Sequence, residues 1–195
     1  NNSSATWWQT FFQGHFQELQ LGGINNDKAS AEVDHLITTL KLLPHHRIRD
    51  APCGPGRHSL ELSRRGYAVT GIDFNPQVID RARSLASEQG VSPEFQLTDL
   101  RSLEFDAQFD RVLCLWGSFG YFSDEENAAH LRGVYRALVP GGAFFLDTQL
   151  TETLYPAFRP RDWTWWGNDG ERYRVIEDRA LDLDTSRVNV TWTFQ

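Results

Sequence analysis

A glycine-containing turn between an acidic strand end and a helix is the feature that most restricts the fold of this chain. The turn reads DAPCGPGRH at residues 50–58, and the next predicted strand ends beside Asp73. A parallel sheet that binds an adenosine-containing cofactor typically contains a strand, such a turn, a helix and a second strand. The second strand ends in an acid roughly twenty residues after the turn. We therefore predict a pocket beside Gly54 and Asp73, in which Asp73 accepts hydrogen bonds from ribose hydroxyls.

Strands and helices alternate through the middle of the chain. Apolar spacing and capping residues predict strands at residues 47–50, 67–72, 94–97, 109–115 and 143–147, and helices at 57–65, 76–89 and 124–138. A Pro-Gly-Gly turn at 140–142 precedes the fifth strand. Strands that alternate with helices in this way pair in parallel through right-handed crossovers. The predicted fold class is α/β, a Rossmann-like doubly wound parallel sheet with helices on both faces.

Two helices are predicted before this central part. Residues 6–21 carry Trp and Phe at helical spacing, which leaves two interpretations open: a helix packed on the core, or a lid over a ligand. Residues 27–43 predict a second, amphipathic helix that Pro44 ends. Its predicted inward residues are Ala31, Leu36, Leu40 and Leu43.

The last part of the chain predicts a small antiparallel β appendage. Residues 172–182 and 187–195 alternate as the two strands of a hairpin. We therefore divide the chain into N-terminal helices at 1–44, a cofactor-binding core at 45–150 and the appendage at 151–195. Because an alternating apolar face must be covered, we expect a homodimer contact through the appendage. The chain has no Met and stops inside a predicted strand, so we expect a fragment of a longer protein with a truncated appendage.

Composition excludes several classes of protein. The net charge of -7 argues against a nucleic-acid-binding surface, which favours a basic face. No apolar run approaches the roughly 20 residues that a membrane span requires. The two cysteines form no disulfide framework, which favours a reducing, cytoplasmic location. No Cys/His spacing matches a zinc site, so no metal is predicted.

Further motifs support the cofactor pocket. Asp99 follows the third predicted strand, and LWGSFGYF follows the fourth at residues 115–122. The segments DAPCGPGRH, GIDFNPQVIDRAR, FDRVLCLWGSFGYF and LVPGGAFFLDT occur in this order. With these motifs the chain resembles the class I S-adenosylmethionine-dependent methyltransferases, in the branch that acts on small molecules. The resemblance runs from Val33 to Asp147.

The resemblance implies S-adenosylmethionine as the cofactor and a set of residues around it. The implied cofactor-binding residues are Asp50, Ala51, Pro52, Cys53, Gly54, Gly56, Asp73, Phe74, Asp99, Leu100, Leu115 and Trp116. Among these, the glycines shape the turn under the methionine part, Asp73 binds the ribose, and Trp116 flanks the sulfonium. Pro52 and Pro55 depart from the usual glycine and threonine, and we expect a stiffer turn that still binds. The family sheet usually has two further strands after the fifth, and we expect them to be absent from this chain.

The resemblance also implies an activity, transfer of the methyl group to a small-molecule nitrogen or oxygen nucleophile by in-line displacement. Such a transfer depends mostly on the orientation of the reacting groups. Tyr121 is the first candidate for contacting the methyl acceptor, and His15 is the second.

Three alternatives remain open. A nicotinamide-dependent oxidoreductase also needs a glycine turn and an acid, but Ser59 stands where its third glycine or an alanine is expected. A non-catalytic cofactor-binding module is compatible with the same motifs, because methyl transfer has no obligatory catalytic residue. An RNA methyltransferase would have to use a local basic patch: Arg81, Arg83, Arg132 and Arg136.

Overall fold

The structure, a computed structural model, describes residues 7–14, 16–17, 26–102, 105–168 and 171–195. The chain divides into two compact units. The first comprises Asn1–Gln13 and Ile24–Thr148, and the second comprises Gly14–Gly23 and Gln149–Gln195. A parallel sheet belongs to the first and an antiparallel sheet to the second.

The first unit is built on a parallel sheet with five strands in the described residues. Its elements are α1 (Trp7–Phe11), α2 (Asn26–Leu40), β1 (Arg47–Asp50), α3 (Arg57–Arg64), β2 (Ala68–Asp73), α4 (Pro76–Gln89), β3 (Glu94–Leu97), a 3-10 turn (Leu100–Ser102), β4 (Phe109–Cys114), α5 (Asp124–Ala137) and β5 (Leu138–Leu146). The strand order is β3-β2-β1-β4-β5, and every neighbouring pair is parallel. Because the order reverses between β1 and β4, the carboxyl ends of these strands border a crevice.

Apolar side chains cover both faces of this sheet. On one face a buried cluster joins the strands to α2 and α3: Val33, Leu36, Ile48, Leu62 and Leu113. On the other face a second cluster joins them to α5: Phe109, Val112, Val134 and Ala137. Successive strand residues point to opposite faces, so adjacent Val112 and Leu113 serve different clusters. This arrangement confirms the predicted Rossmann-like fold.

Local capping explains why several helix bounds could be predicted. The side chain of Asn75 accepts a hydrogen bond from the Gln77 N–H at the start of α4, and Gly90 ends that helix at a φ of 66°. Ser123 and Glu126 form a capping box at the start of α5. Each cap gives the unpaired backbone groups of a helix end a partner, so the chain encodes these bounds locally.

The N-terminal helices differ from their predictions. The first helix ends at Phe11 rather than continuing to residue 21, and Gly14 has a φ of 62°, which breaks a continuous helix. The second ends at Leu40 instead of residue 43. The inward orientation predicted for Ala31 and Leu43 is wrong, since both are exposed. The prediction is confirmed for Leu36, which is buried, and Leu40 is partly buried against the same cluster. Ala29 and Val33 take the remaining inward positions.

The fifth strand is longer than predicted. It runs over Leu138–Leu146 and contains the Pro-Gly-Gly segment that was interpreted as a separate turn. Leu138 pairs with Phe109, and the register then shifts before Arg111 pairs with Ala143. Gly141, with a φ of 80°, takes up this irregularity without ending the strand.

The second unit contains the predicted hairpin and one additional strand. Its elements are α6 (Thr151–Leu154), β6 (Arg161–Asn168), β7 (Glu171–Asp182) and β8 (Arg187–Phe194). β7 lies between β6 and β8, and both pairs are antiparallel. The ring of Phe16 packs against Trp192 and Trp166, with centroids 5.4 and 6.3 Å away. The sequence analysis missed β6, because a run of Trp with Gly obscured its period of two.

Candidate active site

The turn after β1 is fastened to the end of β2 through one carboxylate. The Gly54 N–H donates to Oδ2 of Asp73, and the Asn75 N–H donates to Oδ1, each at 2.9 Å. The Cys53 N–H also donates to the Ile72 carbonyl at 2.8 Å. These bonds bring the glycine turn and the acid of the sequence motif together at the carboxyl edge of the sheet.

Burial controls the charge of Asp73. The residue is 6% exposed, and burial raises the pKa of its carboxyl to about 6, although the backbone N–H groups of Asn75 and Gly54 oppose that rise. A carboxylate has about four lone-pair directions. Two accepted bonds therefore leave acceptor capacity for hydroxyl groups of a ligand.

The two glycines of the turn have different surroundings. Gly54 has a φ of 54°, and a Cβ built on it would meet no atom of the described residues within 4 Å. Gly56 has a φ of 85°, and a Cβ there would lie 2.8 Å from the ring of Phe95. Gly54 therefore leaves open space above the turn, which a ligand can enter, whereas Gly56 permits close packing below it.

The residues before Gly54 lie deeper. Asp50 is 1% exposed, and its Oδ2 accepts a hydrogen bond from the Ser59 hydroxyl at 2.7 Å. Burial raises the pKa of Asp50 and raises that of the Cys53 thiol well above its usual value. Ala51 is buried as well, and Pro52 is half-buried. These four residues thus form the base of the turn.

An aromatic cluster borders the end of β2. The ring of Trp8 on α1 lies edge to face against Phe74 at 4.8 Å and against Phe122 at 5.5 Å between centroids. Phe12 lies 6.2 Å from Phe74, and its carbonyl accepts a bond from the Asn75 side chain at 2.9 Å. Trp8 is 3% exposed, so this residue of the N-terminal aromatic segment is a core residue. Its indole N–H is buried and has no hydrogen-bond partner among the described residues.

Asp99 is held by a basic residue that the sequence analysis did not single out. Arg101 Nη2 donates to Asp99 Oδ2 at 2.7 Å, and Nε donates to Oδ1 at 3.0 Å. These bonds lower the pKa of Asp99, and Arg101 is also paired with Glu126. The adjacent Leu100 is buried against Ala51. The short spacing between Asp99 and Arg101 is the sequence feature from which this ion pair could have been predicted.

Trp116 lies at the opposite side of the crevice, after the buried Leu115 at the end of β4. It is 55% exposed and has a φ of 61°. Lys28 Nζ lies 4.1 Å from its ring centroid, and the Arg57 guanidinium lies 4.3 Å from it. The sequence analysis missed both cations because they come from α2 and α3, far from Trp116 in the chain.

Tyr121 lies among the aromatic residues of the N-terminal segment. Its ring centroid is 5.4 Å from that of Trp7 and also 5.4 Å from that of Phe12. Burial raises the pKa of its phenol to about 12, despite a hydrogen bond with Ser118. Tyr121 is therefore a neutral hydrogen-bonding group near pH 7. The second candidate, His15, lies outside the described residues.

Comparisons with known proteins agree with this geometry. Residues 48–142 match the model of a family described as "Methyltransferase domain". Over these residues the chain is similar to the S-adenosylmethionine-dependent methyltransferases. The matched segment contains the glycine turn, Asp73, Asp99 and Trp116.

Curated relatives resemble the methyltransferase domain over part of their length. A demethylmenaquinone methyltransferase of Deinococcus radiodurans is 36% identical over 103 residues, which are 51% of this chain and 42% of the relative. A glycine/sarcosine N-methyltransferase of Halorhodospira halochloris is 30% identical over 125 residues, which are 63% of this chain and 47% of the relative. The chain thus spans about half the length of the curated relatives it matches.

A solved structure extends the likeness beyond the methyltransferase domain. It is the SAM-bound amino pentose methyltransferase CalS10 of Micromonospora echinaspora, with a TM-score of 0.66 and 17% identity. The match covers 93% of this chain and 81% of that protein. At this identity the likeness concerns the fold alone.

The described part of the chain contains neither a metal-binding cluster nor a membrane-spanning helix. No group of three or more His, Cys, Asp or Glu residues is arranged there to hold a metal ion. No helix there combines the length and apolar character needed to cross a bilayer.

Proposed function

We propose that this chain binds S-adenosylmethionine and directs its methyl group to a nitrogen or oxygen nucleophile of a small molecule. The observation that carries the proposal is the Gly54–Asp73 bond beside open space at the carboxyl edge of the sheet. That edge is where sheets of this topology bind ligands. When bound, the cofactor supplies a reactive methyl group on a positively charged sulfur.

In this proposal the β2 and β3 ends hold the adenosine part. Asp73 accepts hydrogen bonds from the ribose hydroxyls, with the acceptor capacity that its two backbone bonds leave. Phe74 lies against the adenine. Asp99, fixed by Arg101, accepts from the adenine amino group, and Leu100 supplies an apolar wall.

The turn and the end of β4 hold the methionine part. Gly54 lets the backbone approach the ligand, and the residues beneath it fix the turn: Asp50, Ala51, Pro52, Cys53 and Gly56. Leu115 and Trp116 flank the sulfonium. An aromatic ring near a cation contributes about 0.5–2 kcal/mol, so Trp116 favours the charged cofactor over its neutral product.

Tyr121 is the proposed contact to the methyl acceptor. With a pKa of about 12, its phenol orients the nucleophile by hydrogen bonding rather than by removing a proton. Tyr121→Phe keeps the ring contacts and removes only the hydroxyl. We expect lower turnover with unchanged cofactor affinity, and unchanged turnover on the true acceptor would exclude this role.

The first experiment measures cofactor binding to the wild-type chain by calorimetry. We expect S-adenosylhomocysteine to bind. We do not expect NADH to bind, because Ser59 stands where the nicotinamide motif has its third glycine or an alanine. Asp73→Asn should weaken binding, and Asp80→Asn, with a mostly exposed side chain, is the control. Binding of NADH alone would reverse the assignment in favour of an oxidoreductase.

The second experiment identifies the acceptor class. Methyl-labelled S-adenosylmethionine is incubated with the chain and with amines, amino acids, phenols or RNA. Glycine and sarcosine belong in the panel because a relative is named for them. Label found in a small molecule supports the proposal. Label found in RNA shows that the methyl acceptor is RNA rather than a small molecule. Binding of S-adenosylhomocysteine without methyl transfer to any acceptor indicates a non-catalytic module.

We further propose a homodimer through the second unit and a cytoplasmic location. Trp163 and Trp165 are more than half exposed on β6, and β6 and β8 are edge strands of their sheet. The buried free thiols Cys53 and Cys114 suit a reducing compartment. Sedimentation equilibrium of the wild type and of Trp163→Asp tests the dimer, and a fluorescent fusion tests the location.

A further inference from the structure

The carboxylate of Asp147 lies at the carboxyl edge of the parallel sheet. Asp147 directly follows β5, it is exposed, and its backbone N–H donates to the carbonyl of Cys114 at the end of β4 at 2.9 Å. Burial raises the pKa of the Cys114 thiol to about 12, and the charges of Asp50 and Asp147 add to that rise. Asp147 therefore places a negative charge beside the end of β4, at the edge where sheets of this topology bind ligands.

Two hydrogen bonds fix Asp147 against the loop after β4. The Trp116 N–H donates to its Oδ2 at 3.1 Å, and the Gly117 N–H donates to its carbonyl at 3.0 Å. Trp116 has a φ of 61°, which is uncommon for a large side chain, and such a conformation persists only where its surroundings hold it. The loop and the carboxylate thus hold each other in one arrangement.

The second oxygen of this carboxylate is available to a ligand. Among the described residues, none donates a hydrogen bond to Oδ1 of Asp147, and none forms a salt bridge with this side chain. Each carboxylate oxygen has about two lone-pair directions. A donor that carries positive charge is the ligand group that such an oxygen binds most strongly.

The charge that methyl transfer moves separates two classes of acceptor. With an amine, the nitrogen lone pair forms the new N–C bond, the C–S electron pair stays on sulfur, and the positive charge passes from sulfur to nitrogen. A carboxylate beside that nitrogen stabilises the arriving charge, and one accepted N–H bond orients the lone pair toward the methyl group. A hydroxyl acceptor that has lost its proton is anionic, and the same carboxylate repels it.

We infer that Asp147 is a catalytic residue that binds the amino group of an amine acceptor through Oδ1. The inference rests on the proposed function and narrows the acceptor from a nitrogen or oxygen nucleophile to an amine. Oδ1 accepts one N–H of the amine while Oδ2 stays bonded to the Trp116 N–H. After the transfer, the new ammonium loses one proton to Oδ1, which passes it to solvent because Asp147 is exposed.

The test uses a cofactor analogue with its own amino group, so it does not depend on the identity of the acceptor. Sinefungin has a carbon bearing an ammonium group in place of the methylated sulfur, whereas S-adenosylhomocysteine is neutral there. Both are titrated by calorimetry into wild type, Asp147→Asn and the control Asp106→Asn, which changes another exposed aspartate. Asparagine keeps an oxygen for the Trp116 N–H and removes the charge. We expect Asp147→Asn to lose about fourfold to tenfold in affinity for sinefungin and little for S-adenosylhomocysteine.

A kinetic arm uses the acceptor panel of the labelling experiment. With an amine acceptor, Asp147→Asn should lower kcat by at least about tenfold and leave the KM for S-adenosylmethionine unchanged. Asp106→Asn should keep the wild-type values of both. Label that appears in phenols or other hydroxyl compounds, with the amines unlabelled, would overturn the inference.

The two ligands separate the possible failures. Wild type that binds neither of them contradicts the proposed function itself. Wild type that binds both, with the same ratio of affinities in Asp147→Asn and Asp106→Asn, contradicts only the role of Asp147. An equal loss of both ligands in Asp147→Asn that is folded by circular dichroism assigns Asp147 to the Trp116 loop alone, which also overturns the inference.

A measurement on wild type covers the case in which Asp147→Asn does not fold. The attraction between an exposed carboxylate and an ammonium group is screened by salt. Sinefungin affinity relative to S-adenosylhomocysteine should therefore fall between roughly 0.05 and 1 M sodium chloride. A ratio that does not change with salt would overturn the inference.

Discussion

The carboxylate of Asp73 accepts the backbone N–H of Gly54 at 2.9 Å, so the acid of the cofactor motif also closes the glycine turn. The same carboxyl is buried, and its pKa is raised to about 6. The turn and the ionisation of one side chain are therefore coupled. From this coupling we expect cofactor binding to be sensitive to pH close to neutrality.

Acidification should weaken cofactor binding through Asp73. In the proposed function its ionised form accepts hydrogen bonds from ribose, and protonation below about pH 6 removes acceptor capacity. For one proton bound at that pKa, affinity for S-adenosylhomocysteine should fall about tenfold between roughly pH 7 and 5. Calorimetry across this range checks it. Asp73→Asn should bind weakly with little pH dependence, and a flat wild-type profile would contradict the assignment.

Alanine at Gly54 and alanine at Gly71 should both lower stability, but only alanine at Gly54 should weaken cofactor binding. A Cβ at Gly54 meets open space, so Gly54→Ala should cost about 1–2 kcal/mol of strain from its positive φ and weaken cofactor binding. A Cβ at Gly71 would lie 2.7 Å from the Phe95 ring. Overpacking there should cost about 1–3 kcal/mol in unfolding free energy. Urea unfolding and calorimetry on both variants test the contrast, which fails if Gly71→Ala is as stable as wild type.

Replacing Arg49 by Met should stabilise the fold. Arg49 is 0% exposed, and in the described part of the chain none of its three side-chain nitrogens has a hydrogen-bond partner. Burial lowers the pKa of its guanidinium to about 10, which reflects the unfavourable transfer of a charge from water. Met has a similar length without the charge, so the unfolding free energy should rise by about 1–3 kcal/mol.

Thermal unfolding tests the Arg49→Met prediction. In a chain of this size, each kcal/mol gained in unfolding free energy should raise the midpoint temperature by about 2–4 °C. Arg47→Met is the matched control on the same strand, because Arg47 is half exposed and pairs with Asp110. It should leave the midpoint nearly unchanged. A lower midpoint for Arg49→Met would show that Arg49 has a stabilising partner.

His130 should make the protein sensitive to acid. Burial, together with the nearby Arg49 cation, lowers its pKa to about 4 from 6.5. Between these values the unfolded chain binds more protons, so the unfolding free energy falls as pH falls through this window, by up to about 3 kcal/mol from this residue. Urea unfolding at several pH values should give a shallower slope for His130→Gln. His45→Gln, an exposed control, should keep the wild-type slope.

Features encoded by neighbouring residues could be predicted from the sequence. Asn75 with Pro76, and Ser123 with Glu126, cap helices whose bounds were predicted at or within a residue of those observed. The turn at Gly54 and the acid at Asp73 could be found because their spacing follows from one strand–helix–strand unit. Strand β6 escaped prediction because its consecutive Trp residues and Gly167 break the period of two, and its pairing with β7 shows it as a strand only in the folded chain.

The sequence by itself determined the parallel fold, the glycine turn and the resemblance to methyltransferases, because each depends on periodicity or on residues close in the chain. Tertiary structure alone decided which side chains surround the site. Lys28, Arg57 and Trp116 meet only because α2, α3 and β4 pack on one sheet. Likewise, Arg49 and His130 influence each other only after α5 covers the opposite face. Burial and contacts between residues distant in the chain control the charge states of these side chains, and neither can be predicted from neighbouring residues in the sequence.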